Sequence, residues 1–271
     1  MAVGVDLQKE RDRMVWAAGN YAAVAQLLVE PAHRLIERAG IACEMSVLDV
    51  ATGTGNVAIP AAKRGASVVG LDLTPEMLDK ARARARAAGV QVDWVIGDAE
   101  ELPFPDASFD AVLSSFGVQF AATPARAAAE LVRVCRPGGV IGLCCWTPEG
   151  VAGRYVALLR HHVGGRSDGP SSTDWGRENT IRSLFSPSGL QFSLERDVLL
   201  TDWESVDSSV AFLEHNYGCA ITARRALEPL GRWRSLRSDI HDLFESNNRA
   251  EEGCGLLLAE EYVLATGRKP S

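Results

Sequence analysis

The stretch Val47-Leu48-Asp49-Val50-Ala51-Thr52-Gly53-Thr54-Gly55 decides how the chain is read. Val47 to Val50 is a short apolar run of the kind that makes a buried parallel strand. It breaks at once into Gly53 and Gly55, and a helical pattern with Asn56 at its start follows. Strand, glycine turn and helix together place backbone N–H groups at the carboxyl end of a sheet strand, where open α/β sheets bind nucleotides. The glycines let the backbone touch a ligand, because a Cβ there would occupy its space.

Gly53 to Ala58 fits the dinucleotide fingerprint G-x-G-x-x-G/A, a weak signal alone. Asp49, inside the strand end, tips the reading. A carboxylate beside a pyrophosphate is repulsive, whereas beside an ammonium it is attractive. That favours a nucleoside carrying an ammonium group over a dinucleotide. Asp49-x-Ala51-x-Gly53-x-Gly55 resembles the first motif of class I S-adenosylmethionine-dependent methyltransferases, especially the ubiquinone/menaquinone-biosynthesis type. The resemblance implies an α/β fold: a doubly wound, Rossmann-like, mostly parallel seven-stranded sheet with helices on both faces; roughly forty helical residues between the last two strands exceed a normal connection and add a helical cap near the C-terminal strands. It implies S-adenosyl-L-methionine as cofactor and S-adenosyl-L-homocysteine as product. Ala51, Thr52, Gly53, Gly55 and Asn56 then belong to the cofactor turn, with Asp49 behind them.

Ser67 to Asp72 reads as a second strand, and an acid at its end is placed to accept both hydroxyls of a ribose. A capping role is the alternative for Asp72, but Thr74 and Pro75 already make a cap and first helical position. Leu73 and Met77 would flank the adenine. Met77, Leu78, Ala81 and Ala85 form the buried face of the next helix, leaving Arg82, Arg84 and Arg86 as a solvated face. Val92 to Ile96 is a third strand. Gly97-Asp98-Ala99-Glu100 after it is similar to the family's second motif, which implies Asp98 on the adenine amino group and the Ala99 N–H on a ring nitrogen; Glu100 is either a further contact or a loop acid. Ala111 to Ser115 is the fourth strand. In the family its end, here Ser115, Phe116 and Phe120, lies beside the methionine part of the cofactor, with Phe120 as a wall toward the substrate; the alternative for Phe116 and Phe120 is ordinary core packing. Arg136-Pro137-Gly138-Gly139 before Val140 to Trp146 is similar to the last core motif, so the resemblance covers about residues 45 to 147.

The formal net charge of −7 speaks against nucleic acid as the main partner, and no apolar run approaches the ~18 residues of a membrane span. Residues 1 to 13 lack a secretion signal. Six cysteines show no C-x-x-C spacing, and adjacent Cys144 and Cys145 point to opposite faces of a strand, so no metal site is expected. They read as core residues of a cytoplasmic, reducing setting. A small-molecule partner is expected, and a homodimer is compatible with the sequence.

Three parts follow in order: 1–44 as N-terminal helices over the cofactor site, 45–147 as the cofactor core, and 148–271 completing the sheet, with a helical cap at about 204–250, all one structural domain. In the first part Asn20 caps a helix over Tyr21 to Val29 and Pro31 opens a second, ending at Gly40. Tyr21 is either helix packing or, as the resemblance implies, a hydroxyl meeting the cofactor. In the third part Val151 to Val163 is a helix, 164–169 a loop, Trp175 to Phe185 a helix, and Gln191 to Leu200 an antiparallel or edge-like strand. Ser205 to Asn248 is helical by period, and Gly255 to Thr266 is a final strand. Aromatics in the cap imply a bulky, largely apolar acceptor of natural-product type, aromatic or isoprenoid.

A sulfonium leaves readily, so in-line placement and exclusion of water are the main requirements. A base is needed only if the acceptor holds its proton. His215, His162 and Tyr21 are the candidates, with His161 and Glu214 behind them. Two other classes share the glycine motif: an NAD-dependent oxidoreductase, and a fold member that binds the cofactor as a binding protein or cyclase.

Overall fold

The computed structural model describes residues 2–164 and 171–270. Seven strands form one sheet: β1 (Ser46–Val50), β2 (Ser67–Asp72), β3 (Asp93–Ile96), β4 (Phe109–Ser115), β5 (Cys135–Trp146), β6 (Gln191–Trp203) and β7 (Leu256–Arg268). Eleven helices accompany them among the described residues: α1 (Ala2–Ala17), α2 (Tyr21–Leu27), α3 (Val29–Arg38), α4 (Ala58–Lys63), α5 (Pro75–Ala87), α6 (Pro124–Val134), α7 (Val151–Val163), α8 (Glu178–Phe185), α9 (Val206–Asn216), α10 (Gly218–Leu227) and α11 (Trp233–Glu245).

The strand order is β3-β2-β1-β4-β5-β7-β6. β1 pairs in parallel with β2 on one side and β4 on the other, β2 with β3, and β4 with β5. β7 runs against its neighbour β5, and β6 takes the edge, as the alternating pattern after Pro187 predicts. This is the doubly wound, mostly parallel sheet expected from the sequence. The chain goes from β1 to one side and later returns on the other, so the switch point lies between β1 and β4, where such sheets open a crevice at their carboxyl ends.

The chain divides into two compact units. The sheet unit comprises Leu28–Thr147, Ser172–Asp197 and Tyr262–Ser271; the helical unit comprises Met1–Leu27, Pro148–Ser171 and Val198–Glu261. The expected first part, 1–44, is therefore shared between them, since α1 and α2 fall in one and α3 in the other. In the sheet unit a continuous core runs from Leu48 and Val50 through Val112, Leu131, Ile141 and Leu143 to Trp175 and Phe185. The apolar residues of β1 and β4 are covered on both faces, which is why these strands read as near-continuous apolar runs. In the helical unit Leu236, Ile240 and Phe244 of α11 pack with Tyr155, Leu159, Val210 and Leu227 around a core of their own.

Several boundaries differ from expectation for local reasons. The helix after the glycine turn begins at Ala58 rather than Asn56, because Thr52 to Val57 is used up in turns. The second N-terminal helix opens at Val29, ahead of Pro31. The helix expected over Trp175 to Phe185 is split: Ser172–Gly176 is a 3-10 turn, and a Cβ on Gly176 would stand 2.0 Å from the Trp146 carbonyl oxygen. The long helical tract after Ser205 is three helices, broken at Tyr217 and at Glu228–Leu230. The loop expected over 164–169 lies, except for Gly164, outside the described residues. No helix among the described residues is long and apolar enough to cross a membrane.

Candidate active site

The glycine turn after β1 is held in a demanding backbone shape. Ala51, Gly53 and Gly55 all have positive φ, of 53°, 55° and 86°. For Ala51 that costs about 1–2 kcal/mol, so the surroundings must enforce it. Across the switch point Phe116, directly after β4, is also left-handed, with φ 57°. The two strand ends are tied together: Ser114 donates from its hydroxyl to the Val50 carbonyl at 2.7 Å and accepts from the Val118 N–H at 2.9 Å. Gly117 packs so closely that a Cβ there would lie 2.5 Å from that of Ala51.

Two buried acids hold the turn from the strand side. Asp49 is 1% exposed, and its Oδ2 accepts from the Thr52 hydroxyl and, at 3.0 Å, from the Ala58 N–H. Asp72 is 8% exposed; its two carboxylate oxygens take the Gly53 N–H at 2.7 Å and the Thr74 N–H at 2.9 Å. Thr74 is the N-cap of α5 by position but makes no side-chain cap bond. Burial pushes the Asp49 carboxyl up to about 7, its hydrogen bonds pull it back, and the neighbouring Asp72 charge raises it further. Burial likewise raises Asp72. Two carboxylates so placed oppose an anion and favour a cation.

The loop after β3 joins the same end of the sheet. The Gly97 N–H donates to the Asp72 carbonyl at 3.0 Å, and Asp98 follows it directly. Asp98 Oδ1 accepts from the Glu100 N–H at 2.9 Å, so Ala99 sits at the head of a tight turn. Glu100 is buried and accepts from the Thr123 N–H at 2.7 Å, holding the start of α6; it is neither solvated nor loose. Met77 is buried, and Leu73 and Ala99 are half-buried. Asn56 presents its side-chain oxygen to Arg84 at 2.9 Å. At the end of β4, Ser115 and Phe120 are half-buried, while Phe116 stacks on Trp146 with ring centres 4.0 Å apart and meets Tyr262 edge-on. Phe116 is thus committed to an aromatic core.

A group of the cofactor's kind fits these residues. The Asp72 oxygens each keep a lone pair after one N–H, enough for two sugar hydroxyls. Glu100 Oε2 and Gln119 Nε2 are buried without partners, a state that costs free energy until something satisfies it. At Gly55 a Cβ would press on Trp94 and Ile59 at 3.0 Å, so a glycine is required there.

A family model described as a methyltransferase domain matches residues 48–143. An uncharacterized protein of Mycobacterium tuberculosis is 40% identical over 261 residues, 95% of this chain and 93% of that one. A demethylmenaquinone methyltransferase of Deinococcus radiodurans is 45% identical over 121 residues, 43% of this chain and 50% of its own length. The chain belongs to one family with that mycobacterial protein, and its residues 48–143 match a methyltransferase domain. Among solved structures the YcgJ protein of Bacillus subtilis shares the fold, with a TM-score of 0.62 at 22% identity over 89% of this chain and 98% of that one.

The remaining candidates lie in the helical unit. Tyr21 opens α2, half-buried, with Trp16 edge-on at 5.6 Å. His162 is buried at the end of α7, its Nε2 2.6 Å from Asp239 of α11. His215 is exposed, and its Nδ1 meets the Ala211 carbonyl of its own helix at 2.6 Å. His161, next to His162, is exposed. The His161 and His162 rings meet edge-on at 5.5 Å, while His215 lies on another helix, turned outward.

Two residues escaped the sequence reading. Arg84 is not a solvated cation: it is half-buried, and its Nη1 lies 2.8 Å from the Thr54 carbonyl and 2.6 Å from the Thr54 hydroxyl, besides Asn56. The spacing of seven from Met77 puts it on the same side of α5, and that was the available signal. Gln119 is 1% exposed and fixes its amide by accepting from the Trp146 N–H at 3.0 Å. No spacing marks it.

Proposed function

We propose that this enzyme moves a methyl group from S-adenosyl-L-methionine to a small, largely hydrophobic acceptor of natural-product type and releases S-adenosyl-L-homocysteine. The observation that carries the reading is the pair of buried carboxylates, Asp49 and Asp72, beside a glycine turn at the sheet's switch point. A pyrophosphate would meet like charge there, whereas a sulfonium with an ammonium tail is drawn in.

Asp72 holds the ribose, Asp98 and the Ala99 N–H read the adenine edge, and Leu73 and Met77 cover its faces. Ala51 to Asn56 receive the amino-acid end with Asp49 behind, and Ser115 with Phe120 borders the methyl side, next to the committed Phe116. Glu100 supports this site through α6. When bound, the cofactor supplies a methyl on a cationic sulfur, which transfers by in-line displacement. The chain's part is to position and to exclude water.

The acceptor class is read from the helical unit. Phe244, Tyr155, Tyr217, Trp16 and Tyr21 follow one another with ring centres 5.6 to 6.1 Å apart. Burial holds the Tyr155 and Tyr217 phenols well above their ordinary range, so they stay neutral donors and do not act as bases. An apolar, ring-bearing or isoprenoid acceptor suits such surroundings. Buried free thiols at Cys135, Cys144 and Cys145 accord with a reducing cytoplasmic setting.

Calorimetric titration with S-adenosyl-L-homocysteine and with NAD tests the reading. Saturable binding of the former is expected; binding of NAD alone would overturn it.

A further inference from the structure

The glycine turn has three left-handed residues within five positions, so its shape needs restraint from outside. From the strand side Asp49 and Asp72 supply it. From the helix side the restraint is a single nitrogen. Arg84 Nη1 reaches the Thr54 carbonyl, the Thr54 hydroxyl and the Asn56 side chain at 2.8, 2.6 and 2.9 Å. It has two hydrogens for three oxygens, so at least one bond is shared.

The pairing is unusual in another respect. All three oxygens are neutral, and no carboxylate lies within ion-pair reach of Arg84 among the described residues. A half-buried guanidinium without a counter-charge is poorly compensated, and burial lowers its pKa. The turn is therefore flanked by two acids behind its strand end and one uncompensated cation on its helix end. A ligand group with a cation and an anion on adjacent atoms matches that arrangement; a free adenosine does not use it.

We propose that Arg84 is a positioning residue: it shapes Thr54 to Asn56 and biases the turn toward the zwitterionic amino-acid end of the cofactor. This rests on the cofactor reading above, and it is separable from it. The adenine contacts, Asp98 and Ala99, belong to the loop after β3, and Asp72 meets the turn only at the Gly53 N–H, so removal of Arg84 acts first on Thr54 to Asn56 and the ligand end they receive.

The test uses the full chain with Arg84→Met, which keeps the stem, and Arg84→Lys, which keeps the charge. Two ligands are titrated by calorimetry: S-adenosyl-L-homocysteine, and 5′-methylthioadenosine, which has the same nucleoside without the amino-acid end. Arg84→Met is expected to weaken the homocysteine compound by about tenfold, the scale of one charge-assisted hydrogen bond. Binding of the methylthio compound should stay within about twofold, with Arg84→Lys intermediate for the first ligand. Parallel loss for both ligands, or no change for either, overturns the proposal. If the unaltered chain binds neither, the cofactor reading falls by itself. Amide hydrogen exchange then judges the restraint alone: peptides covering 52–57 should exchange faster in Arg84→Met than in the parent while β4 peptides do not, and equal exchange refutes it.

Discussion

The sheet unit and the helical unit bury different things. At the carboxyl ends of β1 and β2 the sheet unit buries two acids, fixed by backbone N–H groups and left with spare acceptor capacity. The helical unit buries rings and leucines around α11 and α7, and its polar pairs, such as His162 with Asp239, are closed on themselves. The first arrangement is costly without a ligand, because buried like charges repel and desolvate. The second is stable as it stands. Stability and recognition are thus carried by different residues, and substitutions should separate them.

The largest effect expected is on stability from the helical unit. Leu236→Ala removes a fully buried side chain and should cost about 2–5 kcal/mol in denaturant unfolding. Affinity for S-adenosyl-L-homocysteine, measured under folding conditions, should not change. A matching loss of affinity would erase the contrast between the units. Asp72→Ala is the reverse case. It removes the acceptor of two backbone N–H groups and the proposed ribose contact, and should weaken binding by about 1.5–3 kcal/mol. Unchanged affinity in calorimetry would refute the ribose role.

The third prediction sharpens the contrast through pH. Asp49, pushed up to about 7 by burial, takes a proton below that value. A protonated carboxyl no longer attracts an ammonium, so affinity should fall as pH drops through about 7, and Asp49→Asn should flatten that slope. Stability of the ligand-free chain runs the other way. Between the unfolded value of about 3.9 and the folded value the native state binds more protons, so the Asp49 contribution declines as pH rises across that window. A titration showing affinity independent of pH from 6 to 8 would exclude Asp49 from the ammonium contact. The smallest effect is local. Ala51→Gly relieves about 1–2 kcal/mol of left-handed strain but adds unfolded-state freedom of about 0.5–1 kcal/mol, leaving a net gain of about 0–1.5 kcal/mol by thermal unfolding.

Much of the sheet unit was legible in the letters because its features are local. Asp72 at a strand end before Thr74-Pro75, and Asp98 after a short apolar run, declare themselves by spacing of a few residues. Arg84 was misread because Arg82, Arg84 and Arg86 look alike in sequence; only the helical phase relative to Met77 sets the middle one inward. For Phe116 the letters leave core packing and a cofactor contact both open, since the ring that stacks on it, Trp146, is thirty residues away in the chain. The helical unit was legible as helix but not as three helices. Its break at Tyr217 is followed by Gly218, where a Cβ would stand 1.9 Å from the Val15 carbonyl oxygen, a contact from a distant part of the chain. The partner of His162 likewise comes from α11, at a distance no periodicity reports.

The contact at Gly218 also limits how the chain can be trimmed or varied. The first residue of α10 runs so near the end of α1 that a Cβ would stand 1.9 Å from the Val15 carbonyl oxygen. Only hydrogen fits that gap, so any side chain introduced by a mutagenesis library would prise the two segments apart. A shortened version starting at Leu28 would uncover that groove together with the ring of Tyr217, which Trp16 meets at 6.1 Å, turning a dry surface into a sticky one. Tags and fusions are therefore better attached ahead of α1 than substituted for it.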